Sequence, residues 1–213
     1  MNHMMVRLVV CGMTAFISTS LAAMSADGLQ EIKVRGIDTA YALPGTSLAA
    51  YTKVRIEPVA VEFDKDFKPM RSGSHTKLDS AELEDIRAAV AGLVREEFMK
   101  SLQRGSYEIV EAAGPDVLHV RARIVDLIVN APDTMEAGRN NSFTEYAGEM
   151  TLVLELSDSV TGEVIARVED RERTLETGLL TRTTSVNNEA DARLLVQNWA
   201  RILRDRLDSA RSR

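Results

Sequence analysis

Ser74-His75-Thr76-Lys77 is the segment of this chain that comes nearest to a nucleophile with its own base, because Ser-x-x-Lys puts a lysine amine one helical turn from a serine hydroxyl. Ser157-Asp158-Ser159 follows downstream as a faint second part of such a site. The surroundings argue against catalysis there. A serine of this kind opens a buried helix, whereas Ser74 stands in a polar stretch ahead of one, and no Lys-Thr-Gly comes after it. Four-residue patterns of this sort arise readily by chance.

Other chemistry is equally thin. Metal capture needs clustered His, Cys or carboxylate, and beyond the first residues the chain offers His75 in a polar stretch and His119 within an apolar run, so neither a metal nor a cofactor is expected. His119 alternates with Leu118 and Val120 and reads as a solvent-facing strand residue. No Gly-x-Ser-x-Gly elbow, phosphate loop or dinucleotide fingerprint is present. Glu145 with Glu149 has the look of a glycosidase pair, yet Asp and Glu number 32 in this chain and a solvated face accounts for such pairs better. Arg167, Asp170, Arg171, Glu172 and Arg173 make a mixed-charge strand end that reads first as protection of a sheet edge and second as a partner surface. Asn140-Asn141-Ser142 is a formal glycosylation acceptor and reads as loop chemistry.

The elements that would position these residues can be read from periodicity. Residues 24–50 carry Gly28, Gly36, Pro44 and Gly45 without a sustained period and read as an arm running over the domain. Residues 53–63 alternate in two opposed phases around Glu57 and Pro58, which predicts one strand with a bulge, placed at an edge or with its bulge facing away from a neighbour because proline cannot donate to a ladder. Asp79 followed by Glu82 is a capping box, and the stripe of Leu83, Ile86, Val90, Leu93, Val94, Phe98 and Leu102 predicts a helix that Gly105 closes. Residues 107–112 and 117–129 then predict a hairpin turned by Gly114-Pro115-Asp116. A second hairpin pairs the run around Met150, Leu152, Leu154 and Leu156 with that around Val164, Ala166 and Val168, across a turn at 158–162. Asn188 caps a last helix whose stripe holds Leu195, Trp199, Ile202, Leu203 and Leu207, with Trp199 expected in the core. The sum is an α+β domain, a mostly antiparallel five-stranded sheet with two helices packed on one face.

Address is written at the start. A positive end through Arg7, an apolar run at 8–17 and small residues at 18–23 form the three regions of a secretory signal peptide, with Ser20 and Ala22 suited to cleavage after Ala22 or Ala23. The apolar run is far short of the roughly 20 residues that span a bilayer. Cys11 follows Val10 inside that run, so it lacks the setting of an acylation site, and the processed chain would hold no thiol and no disulfide. The organisation expected is a signal peptide at 1–23, an arm at 24–50 and one domain at 51–213. A net charge of −6, or −7 once Arg7 is removed, with 5% aromatics speaks against a nucleic-acid partner. No further membrane span is expected after the signal.

Tyr41-Ala42-Leu43-Pro44-Gly45, Tyr51-x-Lys53-Val54 leading to Pro58, and Gly114-Pro115-Asp116-Val117-Leu118 resemble the Domain of Unknown Function 3313 family. So do Asn130-Ala131-Pro132-Asp133, Glu145-x-Ala147-Gly148-Glu149, the run from Asp158 to Glu163, and Trp199-Ala200 before Leu207-Asp208. The resemblance implies a bacterial envelope protein, lipid-anchored in many members, with no established activity and no catalytic residue to carry over. The missing lipobox favours a soluble periplasmic form.

The function expected is a non-enzymatic accessory or binding module of the envelope, presenting the polar loops at 130–145 and 176–187 to an envelope protein or cell-wall component. Arg139, Asn140, Asn141 and Glu145 are its candidate binding residues. The rivals are a hydrolase built on scattered Asp, Glu and Ser, and a structural subunit of an oligomer.

Overall fold

The computed structural model describes residues 28–68, 77–129, 146–175 and 185–212. Among them the chain forms β1 (Gln30–Ile32), β2 (Thr39–Ala42), β3 (Lys53–Ile56), β4 (Ala60–Phe63), α1 (Ser80–Arg104), β5 (Glu108–Ile109), β6 (Val117–Val129), β7 (Tyr146–Asp158), β8 (Val164–Leu175) and α2 (Ser185–Arg211).

The first helix forms where capping and periodicity agree. The Asp79 carboxylate accepts the Glu82 N–H and the Glu82 carboxylate accepts the Asp79 N–H, each at 2.9 Å, satisfying two backbone donors that the helix leaves over. Leu93, Val94, Phe98 and Leu102 bury the stripe, and Gly105 ends it. The second helix starts ahead of Asn188, which lies inside α2 rather than capping it. Its inner stripe is Val196, Trp199, Ala200, Leu203 and Leu207.

The fold is α+β as expected, but the sheet is not five-stranded and antiparallel. It has eight strands in the order β1-β2-β8-β7-β6-β3-β5, with β4 also paired to β6, and β3, β4 and β5 run in parallel pairings. The helical crossover explains this. A chain that leaves β4 through α1 returns to the starting end of the sheet, so the next strand enters in the same direction as the last. The expected hairpin of residues 107–112 with 117–129 is absent for the same reason. Here β5 joins the far side of β3, and because β5 is two residues long the seven residues 110–116 carry the chain back to begin β6 on the near side. Gly114-Pro115-Asp116 thus turns the chain across the end of β3, where the Asp116 carbonyl accepts the N–H groups of Thr52 and Lys53, both at 3.1 Å.

The expected irregularity at Glu57 and Pro58 is real and splits the strand in two. Lys53 pairs with Val117 and Ala60 with Arg123, so one extra residue lies on the β3–β4 side between them. A second bulge sits in β6, where Asp126 adopts φ 52°, a conformation that aspartate tolerates better than most residues. The hairpin of β7 and β8 holds, with its turn closed by Gly162 at φ 73° and by the Asp158 carboxylate, which accepts from the Val160 and Thr161 N–H groups.

The arm is no loose strap. β1 and β2 make a hairpin whose second strand pairs with β8 from Thr39↔Glu169 to Ala42↔Ala166, extending the sheet. The pairing with β2 ends at Thr39↔Glu169, and the mixed-charge end of β8 lies beyond it, where Asp38 accepts the Arg171 N–H and gives its own N–H to Asp170. Both helices cover one face of the sheet in a single core that runs from Val54 and Ile56 through Leu118, Val120, Leu152 and Leu154. The helices meet where Ser101 Oγ donates to the Ala200 carbonyl at 3.0 Å, two small residues allowing close approach. On the same seam Glu97, 2% exposed, accepts from Arg193 Nη1 at 2.6 Å and Gln197 Nε2 at 3.1 Å.

Candidate functional site

An unfilled apolar cleft lies where α2, the N-terminal hairpin and the β7–β8 hairpin converge. Its floor is the helix-covered face of the sheet: Leu152, Leu154 and Leu156 of β7, Ala166 and Val168 of β8, and Ala40 and Ala42 of β2. Trp199, Ile202 and Leu203 of α2 form its roof, and Ile32, Val34, Ile37, Leu43 and Leu48 its outer wall. The volume is about 150 Å³.

The sequence makes this space in a definite way. Ala42 and Ala166 stand opposite each other in register and Ala40 stands opposite Val168, so small side chains occupy the floor just where α2 bridges to the added hairpin. Interiors elsewhere are close-packed, and three alanines side by side leave a gap that their neighbours do not fill. The rim is formed by exposed residues, Ile32, Thr46 and Arg206. Arg206 is the one charged residue in the lining among the described residues.

Trp199 ties this cleft to the sheet. Its ring is 2% exposed and its Nε1–H donates to the Asp170 carboxylate at 2.6 Å, which also accepts the Asp38 N–H at 2.7 Å. Asp170 is itself 3% exposed. Beside it Glu172 has its pKa raised by burial and by the negative charges of Asp170 and Asp38.

The opposite face of the sheet carries a row of alternating charges. Glu57 meets Arg121 Nε at 2.8 Å, Arg121 meets Glu155 at 3.0 Å, and Glu155 meets Arg167 at 3.1 Å. The hydrogen bond from Arg121 holds the Glu57 carboxyl below its ordinary range, against partial burial that pushes it up. His119 lies on this face but is not solvent-facing. Its side chain is 13% exposed, with Nε2 2.9 Å from Glu57, a close contact out of line for a hydrogen bond, and Nδ1 3.4 Å from Ser157 Oγ. Glu149, expected on a solvated face, is 4% exposed and held by Arg171 and Arg173. The arginines of the β8 end therefore turn back onto their own sheet.

The candidate binding residues Arg139, Asn140, Asn141 and Glu145 lie outside the described residues, as do Ser74 and His75. Of the sequence-derived candidates among the described residues, Trp199, whose expected place is the core, lines the cleft. The structure adds Ala42, Ala166, Ile32 and Arg206. Ile32 and Ala42 come from strands of three and four residues, too short to show a period, and neither Ala166 nor Arg206 carries a local signal of its own. Among the described residues the cleft lining is almost wholly aliphatic, a surface suited to retaining an apolar group. Among the described residues no three His, Cys, Asp or Glu are grouped to hold a metal ion, and no helix is long and apolar enough to cross a membrane.

The family model described as a protein of unknown function, DUF3313, matches residues 19–203. No curated protein matches the chain. Among solved structures, a PelC dodecamer from Paraburkholderia phytofirmans is similar at 11% identity over 78% of this chain and 96% of its own, with a TM-score of 0.38. A minor lipoprotein from Acinetobacter baumannii matches at 10% identity over 76% of this chain and 95% of its own, TM-score 0.37. The rare lipoprotein B from Shewanella oneidensis matches at 16% identity over 74% of this chain and 93% of its own, TM-score 0.23. Likeness at these scores is one of outline and bears on neither ligand nor activity.

Proposed function

The chain belongs to the DUF3313 family, and from that premise we propose that it is a non-enzymatic binding module of the cell envelope that holds an apolar ligand in the cleft under α2. The observation that carries this reading is the unfilled volume itself. A cleft of about 150 Å³ walled by aliphatic side chains and floored by three alanines matches the size of an engineered apolar cavity that takes up benzene. Pockets that bind small molecules are concave, mostly apolar and largely formed in advance. Export follows from the signal-like order of residues 1–23, with processing after Ala22 or Ala23.

The test uses protein recovered from the envelope of an expressing cell and a neutral fluorescent probe, N-phenyl-1-naphthylamine. Saturable binding at one site, lost in Ala166→Leu and Ala42→Leu with the circular dichroism spectrum unchanged, supports the reading. Absence of saturable binding, or binding indifferent to both substitutions, overturns it. N-terminal sequencing of the same preparation reads the export half: a start at Met1 would refute processing.

A further inference from the structure

We propose that the ligand of this cleft is a single-chain carboxylate of the fatty-acid type, its head held at Arg206 and its chain lying over Ala42, Ala166 and Leu154. The inference rests on the reading of the cleft as a binding site and adds the chemistry of the ligand.

The head group is argued from Arg206. Most arginines of the described residues are paired: Arg201 and Arg204 with Asp205, Arg121 and Arg167 with Glu155, Arg171 and Arg173 with Glu149. Arg206 lies in the same helix as Arg201 and Arg204 but makes no ion pair or hydrogen bond to another described residue. Helical geometry keeps it so. Its neighbours three and four residues away are Ile202, Leu203, Ser209 and Ala210, none a carboxylate, while adjacent Asp205 is taken by Arg201 and Arg204. On the hairpin across the rim, Glu31 is paired with Lys33 at 3.2 Å. An arginine free at the mouth of an aliphatic cleft has a planar set of donors facing outward, which fits a carboxylate better than a hydroxyl or a cation.

The tail is argued from volume and shape. About 150 Å³ accommodates roughly six carbon atoms, judging from the benzene-sized cavity of equal volume. One linear chain places about that many carbons in the cleft and passes out beside Ile32, which is 41% exposed, whereas a branch point or a second chain finds no room beside it. The global charge of −6 works against an anion, so a preference for one reports Arg206 and not the field of the whole protein.

The experiment displaces N-phenyl-1-naphthylamine from the full processed protein with octanoate, octanol and octylammonium, each well below its micelle concentration. Octanoate is expected to displace the probe at a concentration at least about fivefold lower than octanol and lower still than octylammonium, the scale of one charge-assisted pair at an exposed rim. Arg206→Gln brings octanoate to the level of octanol, and Arg206→Glu reverses the order of octanoate and octylammonium. Displacement is read as the ratio of octanoate to octanol within each variant, so that any change in the probe's own affinity cancels. If the probe binds but the three chains displace it alike, or if Arg206→Glu leaves their order unchanged, the inference is wrong while the cleft reading stands. If the probe does not bind, both are wrong.

Discussion

Replacing Trp199 with phenylalanine removes one hydrogen-bond donor from a buried carboxylate and little else. Asp170, 3% exposed, accepts the indole N–H at 2.6 Å and the Asp38 N–H at 2.7 Å, and with the indole gone the second bond alone remains from this pair. A bond to a charged acceptor contributes about 1.5 to 3 kcal/mol. The ring shrinks by roughly 40 Å³ beside an existing cleft, adding up to about 1 kcal/mol at 24 cal/mol per Å³. Trp199→Phe is therefore expected to cost about 1.5 to 4 kcal/mol in urea unfolding. Asp170→Asn keeps the shape and one acceptor oxygen and should cost about 1 to 2 kcal/mol. The two changes share one bond, so the double variant should fall short of the sum by about 1.5 kcal/mol or more. A coupling within about 0.5 kcal/mol of zero would show that the bond joining α2 to β8 adds nothing, and the claim that Trp199 anchors the cleft would go with it.

Leu154→Ala removes a side chain 4% exposed at the centre of the core, and equilibrium unfolding should show a loss of about 2 to 5 kcal/mol; less than 1 would mean the site collapses onto the gap. Burial pushes the Glu97 carboxyl up, but hydrogen bonds from Gln197 and Arg193 and the charge of Lys100 outweigh it and leave the pKa lowered. Its contribution is present above the ordinary carboxylate pKa of 4.5 and is lost as pH falls through the lowered value, so Glu97→Gln should destabilise at pH 7 by about 1 to 3 kcal/mol and flatten the acid limb of stability against pH. An unchanged acid limb would assign that limb to other carboxylates. Tyr51, whose hydroxyl donates to Asp158 at 3.0 Å, is pushed up to about 12 by burial and then by Asp158 and Glu163. Its protonated form is the one the fold favours, so that contribution is full below pH 10 and lost as pH rises through about 12, and Tyr51→Phe should remove this part of the alkaline slope.

What can be read in the sequence is what local periodicity encodes. The Asp79–Glu82 cap, the stripe ending at Leu102, the β7–β8 hairpin and the disruption at Glu57 and Pro58 each depend on residues a few positions apart. Strand partnership does not. Residues 107–112 and 117–129 are separated by a turn signal and look like a hairpin, yet β3 inserts between them because Thr52 and Lys53 bond Asp116, a contact between segments more than sixty residues apart in the chain. The arm looks irregular in sequence because β1 and β2 are three and four residues long, too short to show a period. Alternation puts Glu149 and His119 on the correct face but says nothing of their burial, which comes from arginines and a glutamate on neighbouring strands. The cleft is invisible in sequence for a related reason. It is a property of Ala42 and Ala166 facing each other, and nothing in either segment alone says that they meet.

Whether that cleft is open in solution can be decided from stability. At about 24 cal/mol per Å³, an enclosed void of this volume would forgo about 3 to 4 kcal/mol, and the open rim makes that an upper bound. Ala166→Leu places an aliphatic chain over the floor, burying apolar surface worth about 1 to 2 kcal/mol where there is room to receive it. The register puts Ala166 opposite Leu156 on one side and Ala42 on the other, so the added chain points into the space beneath α2. The expected result is a protein more stable by about 1 kcal/mol that no longer takes up the naphthylamine probe, gain in one property with loss of the other. If Ala166→Leu instead destabilised the protein by more than about 1 kcal/mol, the space would already be closed by its neighbours in solution and the substitution would be overpacking a full core. The cleft, and the ligand argued from it, would then have to be given up together.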